Sequence, residues 1–217
     1  MMPMMQHRMA LIDAARSMAG LGINQGSAGN ISLRVDEGML ITPSAIPYDE
    51  ITPEMVALMR LDGEYGAYEG PRRPSSEWRF HLDIMRARPE VGAIVHTHAP
   101  YAAAIAMARR DIPPCHYMVT RFGGRDVRCA PYALFGTAEL SAHALAALAG
   151  RTACLLANHG FIATGSDLNA AMAAAVELEA LAKQYVLSLS IGGPVLLTDA
   201  EIEEAMRQFA TAYKPNV

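Results

Sequence analysis

The stretch VGAIVHTHAP sets His96 and His98 at the end of an apolar, β-branched run. Residues 91–97 read as a buried strand. Side chains two apart on a strand point the same way, so both imidazoles can reach one ion. His159 closes a second apolar run, residues 153–157, in LLANHG. A carboxylate, Glu77, opens SSEWRFHLDIM. Three histidines and one carboxylate make a borderline donor set suited to zinc. The ordinary alternative is that each histidine is a separate core or surface residue. Convergence of the four side chains separates the two readings.

The rest of the chain alternates helical and strand patterns. Residues 7–18 read as a helix whose stripe is Met9, Leu11, Ile12, Ala15 and Met18. A glycine-rich turn leads to strands at 31–35 and 39–42, joined through Asp36, Glu37 and Gly38. A strand is expected at 56–61. Ser75 or Ser76 is expected to cap a helix that runs to Arg88. A helix over 101–108 starts behind Pro100. Short strands are expected at 117–120 and 127–129, a helix at 137–149, and strands at 152–157 and 161–164. A long helix spans 169–191, and Asp199 is placed as the cap of the last one. No repeat or linker interrupts the pattern, so the expectation is one domain over residues 1–217, although the length would also allow two. The fold class is α/β, α+β-like: a central, mainly antiparallel sheet flanked by helices in layers.

Composition narrows the function classes. The chain is 52% apolar and 18% charged, with a net charge of −4, which argues against a broad electrostatic footprint for nucleic acid. Cys115, Cys129 and Cys154 show no CxxC spacing, and a reducing compartment is the simplest fit. Neither a signal-peptide core nor a long charge-free apolar run is evident, so a cytoplasmic, membrane-free protein is expected.

Small-residue loops recur upstream of the histidines: GSAGN, TPSA and PSSE. Each presents hydroxyls and N–H groups without bulk, the chemistry that binds phosphate when such loops converge. Singly, each is an ordinary turn. No loop matches GxxxxGK[ST] or GxGxxG.

These loops, with LGINQGSAGNIS, GMLITPSAIPYDE, PSSEWRFH, VHTHAP, HYMV, FGG, CAPYALFGT and NHG in this order, resemble the class II aldolase/adducin family from the first helix to the last. The resemblance implies zinc-dependent, reversible cleavage of a ketose 1-phosphate to dihydroxyacetone phosphate and a small aldehyde. L-fuculose 1-phosphate is the first candidate substrate, and 5-deoxyribulose or 5-methylthioribulose 1-phosphate the alternative. It implies one Zn2+ per subunit on His96, His98 and His159, with Glu77 as catalytic acid/base and optional fourth ligand. It carries phosphate binding onto Ser27, Asn30, Ser44, Ala45, Ser75 and Ser76, and the aldehyde pocket onto Phe135 and Tyr213. Tyr117, supplied by a neighbouring subunit, is the second acid/base. A shared site of this kind implies a homo-oligomer, a C4 tetramer. Departures from the family pattern are Ser27, Ser44 and Ala45, with Asn158 before the third histidine and Arg121 and Arg125 around FGG. Either arginine serves aldehyde specificity or a salt bridge. The family's sugar-phosphate 4-epimerase branch and a non-catalytic, adducin-like assembly module are the competing readings.

Overall fold

Residues 4–212 are described by a computed structural model. The helices are α1 (Met4–Gly20), α2 (Trp78–Ala87), α3 (Pro100–Met107), α4 (Ala138–Ala147), α5 (Leu168–Leu189) and α6 (Asp199–Ala212). The strands are β1 (Asn30–Val35), β2 (Gly38–Ile41), β3 (Ala57–Met59), β4 (Ala93–Thr97), β5 (Cys129–Ala130), β6 (Ala153–Leu156) and β7 (Gly160–Gly165). They form one sheet in the order β3-β2-β1-β4-β7-β6-β5. Every pair is antiparallel except β5–β6 at one edge.

Alternation along the strands divides the interior in two. Ile31, Leu33, Leu40, Ala93, Val95, Phe161 and Ala163 face the layer that holds α1, α3 and α5. Met39, Ile41, Ile94, Cys154, Leu156 and Ile162 face the layer that holds α2 and α4. A sheet covered on both faces needs apolar side chains at successive positions, which is why its strands read as continuous apolar runs. Strand β1 is the exception. Its odd positions are apolar, while Asn30, Ser32 and Arg34 point toward α2, and Asn30 and Ser32 are buried there. Arg34 donates to the carbonyls of Met85, Arg88 and Val91 and fastens the end of α2 to the sheet.

Three local expectations are corrected. Residues 117–120 are not a strand; Tyr117–Phe122 is a 3-10 helix, capped by His116 Nδ1 accepting from Met118 N (3.2 Å) and ended by Gly123 at φ 91°. Its β-branched and aromatic content had no strand to pair with. Thr198, not Asp199, caps α6: its Oγ1 accepts from Glu201 N (3.3 Å) while Glu201 Oε2 accepts from Thr198 N (2.7 Å). This is the reciprocal capping box, and its T-x-x-E signature stands in the sequence. Asp199 instead pairs with Arg125, and Arg121 pairs with Glu177 at 3.5 Å. Helix α2 carries the third correction. Neither Ser75 nor Ser76 stands at its N-cap; Glu77 does, with no side-chain capping bond. Its carboxylate is turned to the histidines.

Cys154 is a core residue, as expected, and all three cysteines are free thiols. Among the described residues, no helix is long and apolar enough to cross a membrane.

Candidate metal centre and substrate cleft

The centre forms where β4, the β6–β7 turn and the start of α2 meet. His96 is the last-but-one residue of β4 and pairs with Asn30 of β1 on one side and Ile162 of β7 on the other. His98 follows two residues on. His159 sits in the tight turn between β6 and β7, where Asn158 takes φ 54°. Because β4 and β7 are adjacent, the two histidine-bearing runs end at the same edge of the sheet.

Candidate ligand atoms of Glu77, His96, His98 and His159 all lie within 4.8 Å of one another. His96 Nε2 stands 3.1 Å from His98 Nε2 and 3.0 Å from Glu77 Oε2. His159 Nε2 stands 3.1 Å from Glu77 Oε1. His96 Nδ1 lies 2.8 Å from the carbonyl of Phe161, which can only accept. That contact puts the ring proton on Nδ1 and leaves Nε2 as a lone pair aimed into the cluster.

The charges fit a cation. Burial, and then the neighbouring His96, push His98 down to about 4, so its ring is neutral at neutral pH. Burial acts to raise the Glu77 carboxyl, but positive charge at the facing His96 and His159 positions outweighs it and holds the group well below the usual carboxylate range. Glu77 Oε1 is a buried oxygen without a hydrogen bond of good geometry among the described residues. Converging nitrogen lone pairs and an orphaned carboxylate oxygen repel one another unless a positive charge sits between them. The donor set therefore suits a divalent metal of borderline softness.

Glycine is needed under this centre. A Cβ on Gly160 would stand 2.3 Å from the Thr97 carbonyl and 2.8 Å from His98 Cδ2. Gly160→Ala is expected to destabilise the fold by about 1–3 kcal/mol, the usual cost of overpacking. Thermal denaturation checks this, with Gly20→Ala as the comparison, because nothing lies within 4 Å of a Cβ there. Equal melting temperatures for the two variants would contradict the close approach.

A cleft of about 320 Å³ opens beside the centre, lined by Ala28, Ser76, Glu77, His98, Asn158 and His159 on its polar side. Tyr132, Ala133, Leu134 and Phe135 form the opposite wall. The TPSA and PSSE loops are zipped together: Ser44 N donates to Arg73 O (3.1 Å), Ser75 N to Thr42 O (2.9 Å), and Pro43 bridges Pro74. Ser44, Ala45, Ser75 and Ser76 are thus brought into one region. Ala45 takes φ 56°, a left-handed conformation that favours glycine. Ser27 lines a neighbouring hollow with Arg16, Tyr48 and Asp49 rather than the cleft itself. Asn30 is buried, its amide held by Glu77 and His81. Phe135 is on the cleft wall. Tyr117 is half exposed, stacks at 6.0 Å on Phe209, and does not line the cleft of its own chain. Tyr213 lies outside the described residues.

Two contacts near the cleft join residues that the sequence does not connect. Arg79 donates to Gly136 O (3.2 Å) and ties the Leu134–Phe135 wall to α2, and Arg109 donates to Asn158 Oδ1 (2.8 Å) beside His159. Arg79 stands inside PSSEWRFH and Arg109 beside Arg110, but neither contact is local: each joins residues about fifty apart.

Residues 9–186 match the family described as Class II Aldolase and Adducin N-terminal domain. The chain is 52% identical over 204 residues to the 5-methylthioribulose-1-phosphate/5-deoxyribulose-1-phosphate aldolase of Rhodospirillum rubrum, covering 94% of this chain and 91% of that one. It is 45% identical over 202 residues to the L-fuculose phosphate aldolase of Escherichia coli strain K12, covering 93% of each. Among solved structures, an L-fuculose 1-phosphate aldolase superposes with a TM-score of 0.88 at 38% identity, covering 94% of this chain and 95% of that one.

Proposed function

This chain belongs to the class II aldolase/adducin family, and from that premise we propose that it cleaves a 5-deoxypentulose 1-phosphate or its 5-methylthio counterpart. It is a class II aldolase of the fuculose-phosphate or methylthioribulose/deoxyribulose-phosphate type. The cleft wall and the degree of likeness to the relatives favour the second type. Ala133, Leu134 and Phe135, beside Tyr132, offer the aldehyde a largely apolar surface that accepts a methyl or methylthio end, and the 52% identical relative, against 45% for the fuculose-phosphate one, tips the choice. L-fuculose 1-phosphate is the second reading, supported by the 45% identical relative and the structural neighbour.

The proposed chemistry runs on this chain's own side chains. His96, His98 and His159, with Glu77 optional, would hold one zinc ion per subunit. Such an ion supplies Lewis-acid polarisation of the C2 carbonyl, drawing off the charge released when the C3–C4 bond breaks. Ser44, Ala45, Ser75 and Ser76, brought together by the zipped loops, hold the phosphate and so fix C3 opposite Glu77, while Ser27 faces a neighbouring hollow and the Asn30 amide is taken up by Glu77 and His81. Tyr117 of the partner subunit takes the proton from the C4 hydroxyl, and C4 leaves as the aldehyde. In the addition direction the ionised Glu77 takes the C3 proton of dihydroxyacetone phosphate; cleavage is the reverse, the proton that Tyr117 removes from the C4 hydroxyl and the one that Glu77 returns to C3 balancing through solvent. A carboxyl held ionised suits the base of the addition direction. The whole chain acts as a single domain of a cytoplasmic C4 homotetramer with shared sites. An exposed Tyr117 outside its own cleft supports the sharing.

The test is aldol addition of dihydroxyacetone phosphate to acetaldehyde, methylthioacetaldehyde and L-lactaldehyde, compared by kcat/KM. One missing or added methylene is worth roughly 10–200-fold in an apolar pocket, so a preference of about tenfold or more for the hydroxyl-free aldehydes is expected. A preference of that size for lactaldehyde would move the assignment to the fuculose-phosphate type. No condensation with any of the three would refute both.

A further inference from the structure

Below Glu77, between β1 and α2, lies a buried polar chain that the proposed reaction does not use. Ser32 Oγ stands 2.7 Å from His81 Nδ1, His81 Nε2 stands 2.5 Å from Asn30 Oδ1, and Asn30 Nδ2 donates to Glu77 Oε2 at 3.0 Å. Ser32 and His81 are fully excluded from solvent and Asn30 is 3% exposed. Apolar side chains could fill this layer, as they do elsewhere on the α2 face of the sheet, and burying polar groups is costly unless each is satisfied.

Hydrogen-bond chemistry gives the chain a direction. A carboxylate only accepts, so the Asn30 amide must turn its NH2 toward Glu77 and its oxygen toward His81. That oxygen also only accepts, so His81 Nε2 carries the proton. Burial pushes His81 down to about 3, so the ring is neutral and its Nδ1 accepts from the Ser32 hydroxyl. All three donors therefore point toward the carboxylate.

We propose that His81 is a positioning residue for Glu77: by donating to Asn30 Oδ1 it locks the amide that anchors Glu77 Oε2, leaving Oε1 as the working oxygen. Without the His81 donor the Asn30 amide is free to flip, and its oxygen would then face the carboxylate and repel it. Among the described residues Glu77 Oε1 is the oxygen of the pair without a hydrogen bond of good geometry, facing His159 Nε2 at 3.1 Å, so the division between an anchored and an active oxygen is built into the site. The inference rests on the reading of Glu77 as the group that moves the C3 proton.

Two substitutions separate positioning from bulk structure. Gln at position 81 places an N–H donor near the Nε2 position, whereas Asn reaches only the Nδ1 position and cannot bridge to Asn30. His81→Asn is expected to lower kcat for ketose 1-phosphate cleavage by about 10–100-fold, with KM little changed and metal content kept; His81→Gln should recover most of the loss. Equal kcat per bound metal in parent and both variants, or an equal loss in both, overturns the proposal. An independent measurement uses the parent protein. Nitrogen-15 NMR at pH 7 should find His81 as the neutral Nε2–H tautomer in both metal-loaded and metal-free samples. An Nδ1–H tautomer or an imidazolium overturns the proposal even if neither variant folds. Should the parent cleave no ketose 1-phosphate, the reading of Glu77 fails while the tautomer still judges the chain beneath it.

Discussion

Replacing His96 by alanine is expected to strip the purified protein of its divalent metal and to abolish aldol cleavage, with helical content largely kept. His96 is fully buried, and its Nε2 stands 3.1 Å from His98 and 3.0 Å from Glu77. Its other nitrogen is fastened to the Phe161 carbonyl on the neighbouring strand. Alanine removes one nitrogen donor and leaves Glu77 buried with fewer partners. A metal set missing one ligand binds far more weakly, and a buried acceptor deprived of its donor costs about 1–3 kcal/mol. The measurement is the metal-to-protein ratio by elemental analysis after dialysis, with circular dichroism on the same sample. His143→Ala, at a half-buried position of α4 outside the cluster, serves as the control. A His96→Ala protein that keeps one equivalent of zinc would show that the cluster is not the metal centre.

Glu77→Gln is the second large effect. The substitution keeps the size of the side chain and one oxygen, but an amide cannot carry the proton. Exchange of the C3 hydrogen of dihydroxyacetone phosphate with solvent should fall by about two orders of magnitude or more while the metal content is kept. Exchange needs no aldehyde and no C–C bond, so it isolates the step assigned to Glu77. Tyr117→Phe should spare exchange and reduce overall cleavage. Mixing the two variants under conditions that reassemble subunits should regenerate some activity, because a hybrid site can draw an intact Glu77 from one chain and an intact Tyr117 from another. Exchange at the parent rate in Glu77→Gln would assign the proton to another group. Failure of the mixture to regain activity would place Tyr117 and Glu77 in one chain's site.

Most of the elements were legible because their signals are local. The apolar runs of β4, β6 and β7 and the stripe of α1 lie where alternation and the 3.6-residue period put them. The elements misread were those in which a side chain had a competing partner. Glu77 occupies the N-cap of α2 but gives its carboxylate to His96 and His159. Tyr117–Phe122 has strand-like residues but no strand beside it, and closes into a 3-10 turn on His116. At the start of α6 the T-x-x-E box of Thr198 and Glu201 prevails over the adjacent Asp199, whose carboxylate goes to Arg125.

The sequence alone determined the donor types: two histidines spaced to share one face of a strand, a third at the end of another apolar run, and a carboxylate ahead of a helix. Local spacing is enough for that, because strand and helix periods decide which neighbours point together. Only the tertiary structure decided that β4 lies between β1 and β7, which brings His159 to His96 across 63 residues of chain and Asn30 to Glu77 across 47. The entropy of closing such loops changes little with their length, so local sequence carries almost no record of which strands will pair. The tertiary structure also decided the polar face of β1. Asn30, Ser32 and Arg34 form the same alternating pattern that a water-facing strand would show. The presence of α2 above them, with His81 pointing down, turned that face into a buried hydrogen-bonded layer under Glu77.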